Sequence, residues 1–195
     1  MTRDYLDMPL REFLGEVASP EPMPGAGYCA AISLGMAAGL VAMGARASRG
    51  QWAEAKGASA QADAISARIA PLAQRNAEAY AAAVASLQGT GDGAGAGDPQ
   101  DLGLALERAA EVPLEIAEAA VDVASLAALV AERGEQALRA DAVAAAVLAL
   151  AAARAAATLV EVNLGTTASD ERVTRARDLA GSATAAAERA LATLA

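Results

Sequence analysis

Asp141, Asn163, Asn76 and Tyr80 are the side chains of this 195-residue chain whose types and positions could do chemistry. Histidine is absent, which removes Ser-His-Asp and Cys-His nucleophile machinery and every His-ligated metal site. Acid and base work then falls to carboxylates, Tyr28, Tyr80, Lys56 or ordered water, and no metal site is expected. Asp141 opens the apolar run 141–160. Burial there would raise a carboxyl pKa and a helix N-terminus would lower it, the opposed environments by which functional acids are tuned. The same position equally suits a helix N-cap or first-turn acid. Asn163 stands just before Leu164-Gly165 at the far end of the same apolar run, as a C-terminal cap or as a donor–acceptor pair facing a ligand. Asn76 and Tyr80 lie one helical turn apart and share a face, either toward a ligand or in a solvated polar stripe.

Backbone groups supply a further candidate. Pro24-Gly25-Ala26-Gly27 precedes a long uncharged run, and the free amides of a helix start bind anions or the polar edge of a ligand where glycine lets the backbone come close. No strand signal precedes this loop, so it is not a dinucleotide-binding fingerprint, and a purely structural turn reads equally well. The lone Cys29 permits no internal disulfide and sits in apolar sequence, the setting of a small buried hydrophobe more than of a reactive thiol.

The elements that must position these groups are helices. Hydrophobic residues make up 55% of the chain and aromatics only 3%, and alanine dominates without the alternating β-branched runs that strands need. Pro9 to Ala18 carries Leu10, Phe13, Leu14 and Val17 at helical spacing. Further helices are predicted from about Gly27 to Ser48, Gln51 to Leu87, Asp101 to Ala131, Gln136 to Leu164 and Ser169 to Leu194, with Pro71 and Pro113 expected to kink or interrupt the third and fourth. Gln88 to Gln100, QGTGDGAGAGDPQ, reads as a flexible glycine-rich loop. Six helices joined mostly by short turns predict a single domain over 1–195, an all-α up-and-down antiparallel bundle. Ala31, Ser33, Gly35, Ala38, Gly39 and Ala42 recur at three- and four-residue spacing, a face that admits another backbone and suits burial against a partner subunit.

Charge excludes other classes. A formal net charge of −9 with 15 Lys and Arg scattered among 24 Asp and Glu offers no clustered cations for nucleic acid. The runs Gly27–Ala45 and Ala142–Val160 have bilayer-spanning length, but they are rich in Gly and Ala and read as buried bundle helices, so no membrane partner is expected. The charged opening MTRDYLDMPLREF lacks the apolar segment of a secretory signal.

Several motifs occur in register. Leu10-Arg11-Glu12-Phe13-Leu14 is followed by Pro22-Met23-Pro24-Gly25-Ala26-Gly27, Ala30-Ala31 and Leu40-Val41-Ala42-Met43, then by Ala79-Tyr80, Val112-Pro113-Leu114, Asp141 and Val162-Asn163-Leu164. In this order they resemble the formiminotetrahydrofolate cyclodeaminase and methenyltetrahydrofolate cyclohydrolase family, across nearly the whole chain. The resemblance implies a helical bundle, usually a homodimer and cytoplasmic. It implies a reduced folate as partner and no cofactor beyond that tetrahydrofolate substrate. It further implies that the Pro24, Gly25, Ala26 and Gly27 loop shapes a pocket with Asn76, Tyr80 and Asn163, and that Asp141 serves as the catalytic acid-base group. The chain departs from the family pattern at Ala26, where a glycine is usual, at Asn76, where an aspartate is common, and at Thr158, where an asparagine is expected. Two readings follow: an active folate enzyme of cyclohydrolase or cyclodeaminase type, or a catalytically degenerate homologue that keeps the bundle as a ligand-binding or structural dimer.

Overall fold

In a computed structural model the chain is all-helical, and the structure describes residues 5–21, 23–88, 99–165 and 170–195. Six α-helices follow one another: α1 Leu10–Val17, α2 Ala26–Ala47, α3 Ala55–Gln88, α4 Pro99–Arg133, α5 Arg139–Leu164 and α6 Glu171–Ala192. Sequential helices from α2 onward pack side by side, and α5 also rests on α2 while α6 reaches α4. That is the up-and-down bundle the short connections predict.

Alanine sets the packing. The buried faces of α2 and α5 carry Ala30, Ala31, Ala37, Ala38, Ala145, Ala146, Ala149 and Ala153, short side chains that let helix axes approach closely. The largest fully buried side chains, among them Tyr28, Leu34, Val41, Ile116 and Val123, fill the spaces the alanines leave. Both α2 and α5 are long and apolar enough by composition to cross a membrane, yet half of each apolar window is buried inside the bundle.

Where chain and expectation differ, local bonding explains it. The third helix begins at Ala55, not Gln51, because the amides of Gln51 and Trp52 turn back to the Ser48 carbonyl at 3.0 Å and close a tight turn instead of starting a helix. Buried Ser48 also donates its hydroxyl to the Gly44 carbonyl and accepts the Glu135 amide, both at 2.7 Å, pinning the end of α2 to the α4–α5 connection. In α1 only Phe13 is buried, against Tyr5 and Tyr28 with ring centroids 6.4 and 5.9 Å away, and Leu10, Leu14 and Val17 stay exposed. The α6 N-cap is Asp170, whose carboxylate accepts the Arg172 amide at 2.8 Å, and bonds from Arg172 hold that carboxyl below the ordinary aspartate range. Ser169 and Pro22 lie outside the described residues, as does most of the 88–100 loop, although α3 includes Gln88 and α4 already begins at Pro99.

Neither proline interrupts its helix. Each withholds one amide from the carbonyl four residues earlier, and the two orphaned carbonyls meet different fates. Pro71 is exposed, and no side chain among the described residues donates to Ala67. Pro113 is fully buried and Ala109 is buried, and there Asn163 Nδ2 of α5 donates to the Ala109 carbonyl at 2.9 Å.

Candidate functional site

A cleft of about 260 Å³ lies where the start of α2 meets α3, α4 and the last turns of α5. Gly25, Ala26 and Gly27 form one wall, Asn76 and Tyr80 a second, Asn163 with Leu159 and Val162 a third, and Ala109 and Pro113 the fourth. Residues scattered over some 140 positions of sequence thus converge, because α2 and α5 pack together and α3 and α4 flank them. Pro24, the remaining residue of the loop, is buried and does not line the cleft.

The loop sets the α2 entry. Gly25 is the N-cap, in extended conformation, and its carbonyl accepts the Cys29 amide at 3.1 Å. The amides of the first turn have no helical partner and give this wall the positive end of the helix dipole. Gly27 has a steric reason to be glycine: a Cβ built there would stand 2.2 Å from Asn76 Nδ2 and 2.5 Å from its Cγ. The Asn76 amide therefore lies directly on the α2 backbone, with no hydrogen-bond partner among the described residues. Ala26 is exposed, so its methyl narrows the cleft and does not disturb the packing of α2.

Asn163 ties α5 to α4 and lines the cleft. It does not cap its own helix, whose end is set by Gly165 at φ 74°. Its nitrogen is taken by α4, and the remaining oxygen has no protein donor among the described residues. Tyr80, 40% exposed, brings an aromatic face and a hydroxyl to the rim. The lining thus offers two carboxamides, a phenol, the start of a helix and apolar walls of Met23, Leu159 and Val162, and among its described residues no carboxylate, lysine or arginine. Such a surface suits a flat, neutral or weakly cationic heterocycle with several hydrogen-bonding edges.

Other predicted groups fall elsewhere. Asp141 is in the first turn of α5 and Asn163 in its last; 22 residues of helix at about 1.5 Å each separate them by roughly 33 Å, so one protomer does not bring Asp141 to this cleft. Tyr28 is buried in the aromatic cluster with Tyr5, at 5.3 Å between centroids, and Lys56 is exposed on the first turn of α3. Cys29 packs against the core, and burial pushes its thiol pKa up, away from a reactive thiolate. Thr158 turns its hydroxyl back to the Arg154 carbonyl of its own helix at 3.0 Å. Among the described residues no three His, Cys, Asp or Glu side chains converge to hold a metal ion. Sequence reasoning missed Ala109 and Pro113 as wall residues. The available signal was a proline inside an apolar helix, which obliges some other group to supply a donor to the carbonyl four residues before it.

The bundle is similar to the crystal structure of formiminotetrahydrofolate cyclodeaminase from Thermotoga maritima, with a TM-score of 0.84 over 97% of this chain and 96% of that one at 23% sequence identity. At that identity the likeness speaks for the fold. No curated protein matches the chain in sequence. Residues 9–181 match the model of the family described as formiminotransferase-cyclodeaminase, a span that takes in α1 to α5 and part of α6, and the chain belongs to that family.

Proposed function

We propose that this protein binds a reduced folate in the cleft at the start of α2 and acts on its one-carbon unit, as a methenyltetrahydrofolate cyclohydrolase or formiminotetrahydrofolate cyclodeaminase. The observation that carries this reading is the convergence of Gly25, Ala26 and Gly27 with Asn76, Tyr80 and Asn163 on one cleft. In the hydrolytic reaction water adds to the amidinium carbon of the methenyl bridge, one of its protons is released, and as the bond from that carbon to N5 breaks the second passes to N5 and the carbon becomes the N10-formyl group. In the deaminating reaction N10 attacks the formimino carbon and ammonia departs. The methenyl bridge is already an electrophilic cation, so orientation of a water by Asn76, Asn163 or Tyr80 is the catalytic help this lining can give.

A second reading has its own support. Among the described residues the lining carries no carboxylate, and Asn76, which cannot take up a proton, occupies the place where the family commonly has an aspartate. That favours a homologue that binds folate without turnover. One assay separates the two: purified protein mixed with 5,10-methenyltetrahydrofolate, its absorbance followed against buffer. Accelerated loss supports the enzyme, and no acceleration with retained binding supports the second reading. Asn76→Asp is nearly isosteric, fits over Gly27 and places a base at the positive end of α2. It is expected to raise turnover about 10- to 100-fold from a low starting value, and an unchanged rate removes Asn76 as the cause of inactivity.

The protein is expected to act in the cytoplasm as a homodimer. Ile32, Met36, Gly39 and Met43 follow one another at helical spacing on α2 without a charge between them. Met36 and Met43 are 54% and 39% exposed, and Gly39 has open space above it, so this face admits a second helix closely. Met36→Glu is expected to halve the mass measured by light scattering; an unchanged dimer mass places the interface elsewhere.

A further inference from the structure

We propose that Pro113 is a positioning residue that fixes the ligand specificity of the cleft. By withholding an amide from the Ala109 carbonyl it locks the Asn163 carboxamide with nitrogen toward α4 and oxygen toward the ligand. The proposal rests on the folate reading and deepens it, because a fixed acceptor selects a ligand edge that donates, such as the amino and ring N–H edge of a 2-amino-4-oxo pteridine.

A free asparagine can turn either end of its amide toward a ligand, since oxygen and nitrogen exchange on a half-turn. Asn76 keeps that freedom, having no hydrogen-bond partner among the described residues. Asn163 does not. The Ala109 carbonyl accepts only, is 4% exposed as a residue, and would receive the amide of residue 113 in an uninterrupted helix. Pro113, fully buried at that place, has no N–H to give it. A buried carbonyl left unpaired is costly, so the Asn163 nitrogen at 2.9 Å is held there. Its oxygen is left as the acceptor on the cleft wall that Pro113 and Asn163 share. The other internal proline provides the internal control: exposed Pro71 leaves its carbonyl to solvent and fixes no side chain. The cleft therefore combines one fixed acceptor with one adaptable amide.

The test needs no turnover. Pro113→Ala supplies a backbone amide that competes for the Ala109 carbonyl, so the side-chain amide protons of Asn163, followed by NMR in the ligand-free protein, are expected to exchange about tenfold faster. Unchanged exchange overturns the proposal. Because a buried proline substitution can repack its surroundings, a double-mutant cycle provides the second arm. Asn163→Asp alone sets two acceptors face to face and lowers the melting temperature; combined with Pro113→Ala, where Ala109 already has a donor, most of that loss is expected to be recovered. Equal losses in both backgrounds overturn the positioning role whatever any ligand does. For the ligand edge, the wild-type protein is expected to bind 5-formyltetrahydrofolate about tenfold more tightly than its 2-desamino-2-methyl analogue, and Pro113→Ala to narrow that preference to about threefold. Equal affinities in the wild type overturn the assignment of the edge. Binding of neither ligand overturns the folate reading and the edge with it, while the exchange and double-mutant arms still decide the role of Pro113.

Discussion

Two clefts on this bundle each form beside a proline inside a long helix, and they have opposite character. Beside Pro113 the cleft is walled by carboxamides, a phenol and apolar side chains. Beside Pro71, on the outer side of α3 and α4, a cleft of about 480 Å³ is lined by Arg68, Arg75, Glu115, Glu118 and Asp122. There the charges are already paired, Glu118 with Arg175 of α6 and the others within the cleft. Arg75 forms two bonds to the Glu115 carboxylate, at 2.6 and 2.9 Å, which raise the pKa of its guanidinium, and Arg68 approaches Asp122 at 3.4 Å. The larger cleft has its charged groups tied up in ion pairs, whereas the smaller one keeps Asn76 and one end of Asn163 unspent. Unpaired polar groups in an apolar concavity, not size, make the smaller cleft the candidate site.

Breaking the smaller cleft is expected to have the largest consequence. Gly27→Ala drives a methyl into Asn76, and overpacking of this kind costs about 1–3 kcal/mol, read by urea denaturation. Its effect on folate affinity should be at least as large, because the Asn76 amide is the group displaced; a variant with unchanged stability and affinity would show that Asn76 has room to move away. At the larger cleft Pro71→Ala should go the other way. Restoring an amide to the Ala67 carbonyl in an exposed helix interior is expected to stabilise by about 1–2 kcal/mol, after the looser unfolded chain is allowed for. A loss of stability would mean that Pro71 is held by packing as Pro113 is. The smallest effect is expected from Arg75→Ala, which removes a half-exposed ion pair worth less than about 1 kcal/mol and should leave folate affinity unchanged. A clear fall in affinity would join the two clefts into one site.

Much of the small cleft was legible along the chain. The 24–27 loop, Asn76, Tyr80 and Asn163 each announced themselves by residue type against an alanine background, and the structure brings Gly25, Ala26 and Gly27 together with the three side chains, while Pro24 is buried and not in the lining. Asp141 announced itself by the same logic and lies at the other end of α5: an acid that opens an apolar helix looks alike whether it faces a ligand or caps a turn. The apolar spacing of α1 promised a buried face, but only Phe13 is covered, since periodicity tells which residues share a face and not whether anything packs on it. The turn before α3 escaped because a polar helix start and a polar turn use the same residues.

The sequence by itself determined the helices, their order and the absence of histidine chemistry, because periodicity, turn residues and composition are local properties. Only the tertiary structure decided what Asn163 bonds to. Its partner is a carbonyl 54 residues away that is orphaned by a proline on another helix. A hydrogen bond between helices follows from the packing of α4 on α5, which no spacing along either helix encodes.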